Sequence, residues 1–163
     1  MWFQLRPVGI EFLETARRKW VVEGEVAAPR ADVWRHYVDP TTWPSWFPGV
    51  REAHYRGEEP WGVGSIREAD IRGFGMVEVM VAWEEGRRWA YTIERATAPL
   101  ARAQLECTEF EDTPAGTLLR WTIAADPGAL LTITRPLFQG TVERLFGVAL
   151  RNLEAQLKRG ARA

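Results

Sequence analysis

The segment 134–159 constrains the fold most, because it is the longest stretch whose apolar residues follow a helical period. Residues three or four apart share one face of an α-helix, and the apolar positions with this spacing are Phe138, Val142, Leu145, Phe146, Ala149, Leu153 and Leu157. Thr134 is suited to cap this helix and Gly160 to end it. The apolar face must be covered by other parts of the chain.

The preceding residues read mostly as strands. Residues 20–27 alternate between two faces, and six further runs with Gly or Pro between them follow: 50–56, 65–72, 76–84, 88–97, 102–111 and 117–125. Two short helical segments, near 29–38 and 41–46, lie after the first strand. The pattern predicts an α+β fold in which a seven-stranded antiparallel sheet wraps around the long helix.

Composition narrows the classes of function. The net charge of −1 provides no basic footprint for nucleic acid, and a single cysteine with two histidines gives no recognised metal-ligand spacing. The first 20 residues contain scattered charges and no long apolar run, so we expect neither a signal peptide nor a membrane span. We therefore expect a cytoplasmic protein without a cofactor. We also expect a single domain over residues 1–163, with an N-terminal extension at 1–18 and a core at 19–159.

Several local motifs carry a family resemblance. They are EVAAP at 25–29 followed by DVW at 32–34, WPSWFPGV at 43–50, VGS at 63–65 and AGTLLRW at 115–121. In this order they resemble the START-like (SRPBCC) superfamily with the Bet v 1-type helix-grip fold, most closely its polyketide cyclase/dehydrase branch. The resemblance covers residues 20–159. It implies an apolar cavity between sheet and helix, in a fold that hosts lipid carriers, aromatase/cyclases, receptors and ribosome-associated toxins.

The inward faces of the strands and the helix stripe would line such a cavity. For residues 76–83 we take Val77, Val79, Val81 and Trp83 as inward, with Met80 as the rival choice, and the inward face of 65–72 stays open. The candidate ligand-binding residues are Trp46, Phe47, Glu68, Arg72, Val79, Tyr91, Ile93, Trp121, Phe138, Val142, Phe146 and Ala149.

Charged residues inside strands are the candidates for proton transfer, but most of them suit a solvent-exposed face. This interpretation applies to Glu68, Asp70, Glu78 and Glu94, with Arg67, Arg72 and Arg120 as possible partners. Glu68 and Arg72 are the favoured exceptions, since their strand is the most polar one. The sequence shows no recognisable pair of a nucleophile and a general base, so it identifies no catalytic residue.

Three hypotheses of function follow. The first is the binding, and possible transport, of a small apolar ligand such as a lipid, polyketide or isoprenoid, without nucleic acid or stable membrane insertion. The second is a cyclase or dehydratase that uses the same cavity. The third is a protein-interaction module that uses an exposed aromatic patch, and segment 43–49 is the candidate for that patch. We favour the alternative arrangement, in which the rings of this segment plug the open end of the core. The sequence does not identify the ligand or the oligomeric state.

Overall fold

The structure, a computed structural model, describes residues 1–128 and 135–161. Its helices are α1 (Phe12–Thr15), α2 (Arg30–Val38), α3 (Trp43–Trp46) and α4 (Arg135–Gly160), with a 3-10 turn at Pro40–Thr42. Its strands are β1 (Phe3–Gln4), β2 (Arg18–Val26), β3 (Val50–Tyr55), β4 (Ile66–Ile71), β5 (Phe74–Glu84), β6 (Arg88–Ala96), β7 (Ala101–Thr113) and β8 (Gly116–Pro127). The predicted α+β helix-grip fold is confirmed.

The strands form one curved antiparallel sheet in the order β2-β8-β7-β6-β5-β4-β3. The two-residue β1 pairs with β6 as an eighth strand, which the sequence had placed within the N-terminal extension. A ten-residue loop joins β3 to β4, and turns of two to four residues connect the strands from β4 to β8, as an antiparallel meander allows. The two short helices and the 3-10 turn span the distance between β2 and β3, which are the two edges of the sheet.

Helix α4 packs on the inner face of the sheet. All seven residues of the predicted apolar stripe belong to the main core, although the predicted cap Thr134 lies outside the described residues. Gly24 of β2 lets the helix approach closely, since a Cβ atom there would lie 2.3 Å from Cδ1 of Leu150. Two residues further along the helix, the Asn152 side chain donates a hydrogen bond to the backbone oxygen of Trp46 at 3.1 Å.

The N-terminal extension covers the outer face of the sheet. Leu5 N–H donates to the Glu94 carbonyl at 2.8 Å, which continues the pairing of β1 along β6. Phe12 of α1 then packs against small and apolar side chains of the outer face: Ala82, Ala90, Ala103, Leu105, Cys107 and Ala124. The middle of the sheet is therefore buried on both faces.

Strand β5 differs from the predicted orientation. Met76, Glu78 and Met80 belong to the inner face, whereas Val79 and Val81 lie beside the N-terminal extension. The prediction is wrong for Val79 and Val81 because the outer face, being covered, also carries apolar residues. An irregularity between Met80 and Ala82 then returns Trp83 to the inner side, as predicted.

We predict that Gly116→Ala destabilises the protein. Gly116 has a φ of 150°, and a Cβ atom there would lie 2.2 Å from the Val26 backbone oxygen, so backbone would have to move. We expect the free energy of unfolding to fall by about 1–3 kcal/mol in urea denaturation.

Gly62→Ala is the matched control. A Cβ atom at Gly62 would meet nothing within 4 Å, so its effect should stay within about 0.5 kcal/mol. Equal stability of the two variants would contradict the role assigned to the Gly116 turn.

Candidate functional site

A cavity of about 300 Å³ lies between the inner face of the sheet and the first half of α4. This volume is at the lower end of the range of about 300–1,000 Å³ that is usual for small-molecule sites. Most of the wall is apolar and is formed by Tyr37, Trp43, Phe47, Val50, Ala69, Ile71, Phe74, Met76, Trp89, Trp121, Ile123, Phe138, Val142 and Leu145. A smaller polar group consists of Arg67, Glu78, Tyr91, Gln104, Glu106, Thr108 and Thr141.

The polar group includes a buried ion pair. Arg67 of β4 and Glu78 of β5 stand directly opposite each other in the sheet, and Arg67 Nε donates a hydrogen bond to Glu78 Oε2. Their exposed fractions are 1% and 0%. Burial opposes the charge of Arg67, but the Glu78 carboxylate outweighs this effect and raises the pKa of Arg67. The pair brings two full charges to the cavity wall.

Aromatic rings surround the guanidinium of Arg67. Its Cζ lies 4.5 Å from the ring centroid of Trp43, 4.6 Å from that of Trp89 and 4.8 Å from that of Tyr91. These distances are typical of cation–π contacts, which are strongest where water is absent. The rings of the cavity wall thus compensate part of the cost of burying this charge.

Glu106 of β7 is a second buried carboxyl group. Its Oε2 accepts hydrogen bonds from Tyr91 Oη at 2.6 Å and Trp121 Nε1 at 3.1 Å, and its Oε1 accepts one from Gln104 Nε2 at 2.8 Å. Burial raises the pKa of Glu106, although the hydrogen bonds from Tyr91 and Gln104 act in the opposite direction. Burial and the nearby Glu106 also raise the pKa of Tyr91 well above its ordinary value. The cavity thus holds a carboxyl–phenol pair away from bulk water.

The aromatic segment 43–49 forms one end of the cavity. Trp43, Trp46 and Phe47 are at most 5% exposed. Trp43 Nε1 donates to the Tyr37 carbonyl at 2.7 Å, and Trp46 Nε1 to Thr42 Oγ1 at 3.0 Å. This packing matches the favoured plug arrangement and leaves these three rings out of any exposed aromatic patch.

The predicted site residues fall into two layers. Phe47, Tyr91, Trp121, Phe138 and Val142 line the cavity. A second, buried layer behind them contains Trp46, Ile93, Phe146 and Ala149. Contact of these residues with a ligand stays a prediction.

Three predicted site residues lie away from the cavity. Glu68 is on the opposite face of β4 from Arg67 and accepts a hydrogen bond from Arg56 Nε at 2.7 Å. Arg72 is exposed in the β4–β5 turn, where it and Gly73 have φ values of 56° and 88°, as a two-residue type I′ turn requires. Val79 lines a groove under the N-terminal extension.

The sequence analysis missed the polar residues that do line the cavity. Arg67 and Glu78 were assigned to a solvent-exposed face, and Gln104, Glu106 and Thr108 were not singled out. These last three alternate with Ala103, Leu105 and Cys107, which face the N-terminal extension. Cys107 is buried as a small apolar residue, and burial raises the pKa of its thiol to about 12. Because the sequence does not show that the N-terminal extension covers the apolar side of β7, it predicts that the polar side of this strand is exposed to solvent.

The described part of the chain contains neither a cluster of metal ligands nor a helix that could span a membrane. None of its side chains form a group of three or more His, Cys, Asp or Glu residues that could hold a metal ion. Within the same residues, no helix combines the length and the apolar character needed to cross a membrane.

Known proteins resemble this chain over most of its length. Residues 17–158 match the family described as polyketide cyclase / dehydrase and lipid transport. An uncharacterized protein of Mycobacterium tuberculosis is 30% identical over 152 residues, which cover 90% of this chain and 88% of that protein.

Solved structures show the same fold. The Zhui aromatase/cyclase of a Streptomyces strain superposes with a TM-score of 0.69 at 21% identity, over 90% of this chain and 96% of that one. A protein from Thermobifida fusca gives a TM-score of 0.68 at 26% identity, over 86% and 93% of the two chains. With its helix-grip fold and the match over residues 17–158, the chain belongs to the polyketide cyclase/dehydrase and lipid transport family of the START-like superfamily.

Proposed function

We propose that the chain binds a small, largely apolar molecule in the cavity between the sheet and α4. The observation that carries this proposal is the combination of a preformed cavity of about 300 Å³ with a buried polar group in its wall. Apolar walls supply the affinity in such sites, and a few polar groups set the orientation. A lipid, polyketide or isoprenoid of modest size is the class of ligand that suits this arrangement.

The energetics of this binding are favourable. Burial of about 300 Å² of apolar ligand surface at ~25 cal/mol per Å² contributes roughly 7 kcal/mol before the cost of association. Trp43, Phe47 and Trp121 are already packed in the wall, so ordering them adds little to that cost. Because roughly 7 kcal/mol corresponds to a dissociation constant of about 10 μM before that cost is subtracted, we expect binding no tighter than this from the apolar surface alone.

The cytoplasmic location and the absence of nucleic-acid partners stay predictions from the sequence.

We predict that a larger side chain at Ala69 abolishes binding. Ala69 of β4 lines the cavity, so Ala69→Phe would occupy ligand space, at a cost in stability of about 1–3 kcal/mol. We expect saturable fluorescence enhancement of the uncharged probe N-phenyl-1-naphthylamine with the wild type and none with the variant.

Val79→Phe is the matched control, because it adds an aromatic ring to the neighbouring strand outside the cavity. It should bind the probe as the wild type does, with thermal unfolding recorded for all three proteins. Equal binding by the Ala69 variant would place the ligand elsewhere and overturn the proposal.

The second candidate function is a cyclase or dehydratase reaction in the same cavity. The observation that favours it is the Glu106 carboxyl, which is held by Tyr91 and has a raised pKa. A general acid or base works best when its pKa is near the working pH. In the dehydration of a β-hydroxy ketone, Glu106 would accept the proton from the carbon next to the carbonyl. The bond from the β-carbon to the hydroxyl oxygen would then break as the carbon–carbon double bond forms, and the leaving hydroxyl would take the proton back from Glu106 and depart as water.

We expect Glu106→Gln to slow such a dehydration by about 10²-fold or more, because the amide cannot accept the proton. Mass spectrometry would follow the loss of one water from an aryl β-hydroxy ketone. Equal rates for the wild type and the variant would exclude Glu106 as the acid–base group, while leaving the binding proposal intact.

The raised pKa of Glu106 also predicts a pH-dependent stability. Between the unfolded value near 4.5 and the higher folded value, the folded protein binds more protons than the unfolded chain. The contribution of Glu106 is therefore complete below the unfolded pKa and is lost as the pH rises through the folded pKa. Urea denaturation should show wild-type stability decreasing relative to Glu106→Gln over this window, and a constant difference would contradict the prediction.

A further inference from the structure

The cavity wall contains four charged or chargeable groups of known position. Arg67 is paired with Glu78, so these two charges cancel. Glu106 adds either no charge or one negative charge, depending on its protonation, while Tyr91 stays neutral because its pKa is raised. In neither state does the polar group carry a net positive charge. A ligand carboxylate would therefore lose its hydration without gaining a counter-charge.

The ion pair also leaves one donor and one acceptor unused. Nη1 of Arg67 and Oε1 of Glu78 are buried and have no hydrogen-bond partner among the described residues. Both residues line the cavity, but the two atoms are themselves covered, so a ligand hydroxyl reaches them only when the two side chains shift. A hydroxyl group can accept from the first atom and donate to the second, whereas a carboxylate can only accept and would set its second oxygen against Glu78. A buried polar atom without a hydrogen-bond partner lowers the stability of the protein. A ligand hydroxyl that pairs with both atoms would remove this cost.

A cationic ligand is also disfavoured. Arg67 and Glu78 together add no net charge, and burial favours the neutral form of Glu106, so a ligand cation would lose its hydration without gaining a counter-charge. The Arg67 guanidinium also lines the cavity wall. It already lies over Trp43, Trp89 and Tyr91, whose ring faces would otherwise attract a ligand cation.

We propose that the cavity selects uncharged ligands that carry a hydroxyl, phenol or enol group, and discriminates against carboxylates and ammonium ions of the same shape. This inference rests on the proposed binding function and specifies its ligand class. Fatty acids and other apolar carboxylates thereby become poor ligands, and hydroxylated or enolic ring compounds become good ones.

The test compares three probes that share one ring system: 2-naphthol, 2-naphthoate and 2-naphthylmethylammonium. At about pH 7 the first is uncharged, the second negative and the third positive. Isothermal titration calorimetry on the full chain should give a dissociation constant for 2-naphthol at least about tenfold lower than for either ion, a difference of ~1.4 kcal/mol.

A charge variant tests the cause of this selectivity. Glu78→Gln leaves Arg67 without its counter-charge, so it should tighten 2-naphthoate relative to 2-naphthol by about tenfold or more. Glu68→Gln removes the same charge from the same sheet but outside the cavity, and should leave the preference unchanged. If Glu78→Gln does not fold, the double variant Arg67→Met/Glu78→Met, which removes both charges together, should bind 2-naphthol at least about tenfold more weakly than the wild type.

The outcomes separate the two proposals. Equal or tighter binding of 2-naphthoate by the wild type would overturn the selectivity while supporting a binding cavity. Failure of the folded wild type to bind any of the three probes would count against the binding function itself and the selectivity with it. An unchanged preference in the folded Glu78→Gln variant, or an unchanged affinity for 2-naphthol in the double variant, would overturn the role of the ion pair.

Discussion

The buried ion pair between Arg67 and Glu78 is the interaction on which the arrangement of the cavity depends. Removing two ions from water costs several kcal/mol for each of them, and loss of one partner from such a pair costs about 3–5 kcal/mol. The direct pairing of β4 with β5 and the rings of Trp43, Trp89 and Tyr91 hold the guanidinium in place. Since apolar residues of similar size can be equally stable, stability alone does not account for the pair, which is consistent with the proposed role in ligand recognition.

The cover on the outer face of the sheet is the second constraint. Because β1 extends β6 and Phe12 packs on the alanines of the outer face, β7 can direct Ala103, Leu105 and Cys107 outward and still bury them. Its polar side chains are then free to face the cavity, where Glu106 collects hydrogen bonds from Tyr91, Trp121 and Gln104. The N-terminal extension, which lies on the opposite face of the sheet from the cavity, thereby supports the polarity of the site.

Binding and catalysis require different things from this cavity. Apolar walls and a fixed ion pair are sufficient to hold and orient a ligand. Proton transfer additionally needs a group that titrates within reach of the ligand, and Glu106 is the carboxyl group of the wall with a raised pKa. The hydrogen bonds that hold Glu106 in the cavity wall place it where it could orient a bound ligand or exchange a proton with it. Both functions are consistent with a family whose description names cyclases and lipid transport.

The sequence by itself determined the helix α4, its buried stripe, the order of strands and short helices, and the family, because helical periodicity and turn residues are local signals. It also identified five cavity residues, all apolar or aromatic. Only the tertiary structure decided that Arg67 and not Glu68 faces inward, that Met80 and not Val79 does so, and that Glu106 is buried. A strand has two faces, and when long-range packing covers both of them, polarity no longer indicates which face meets water.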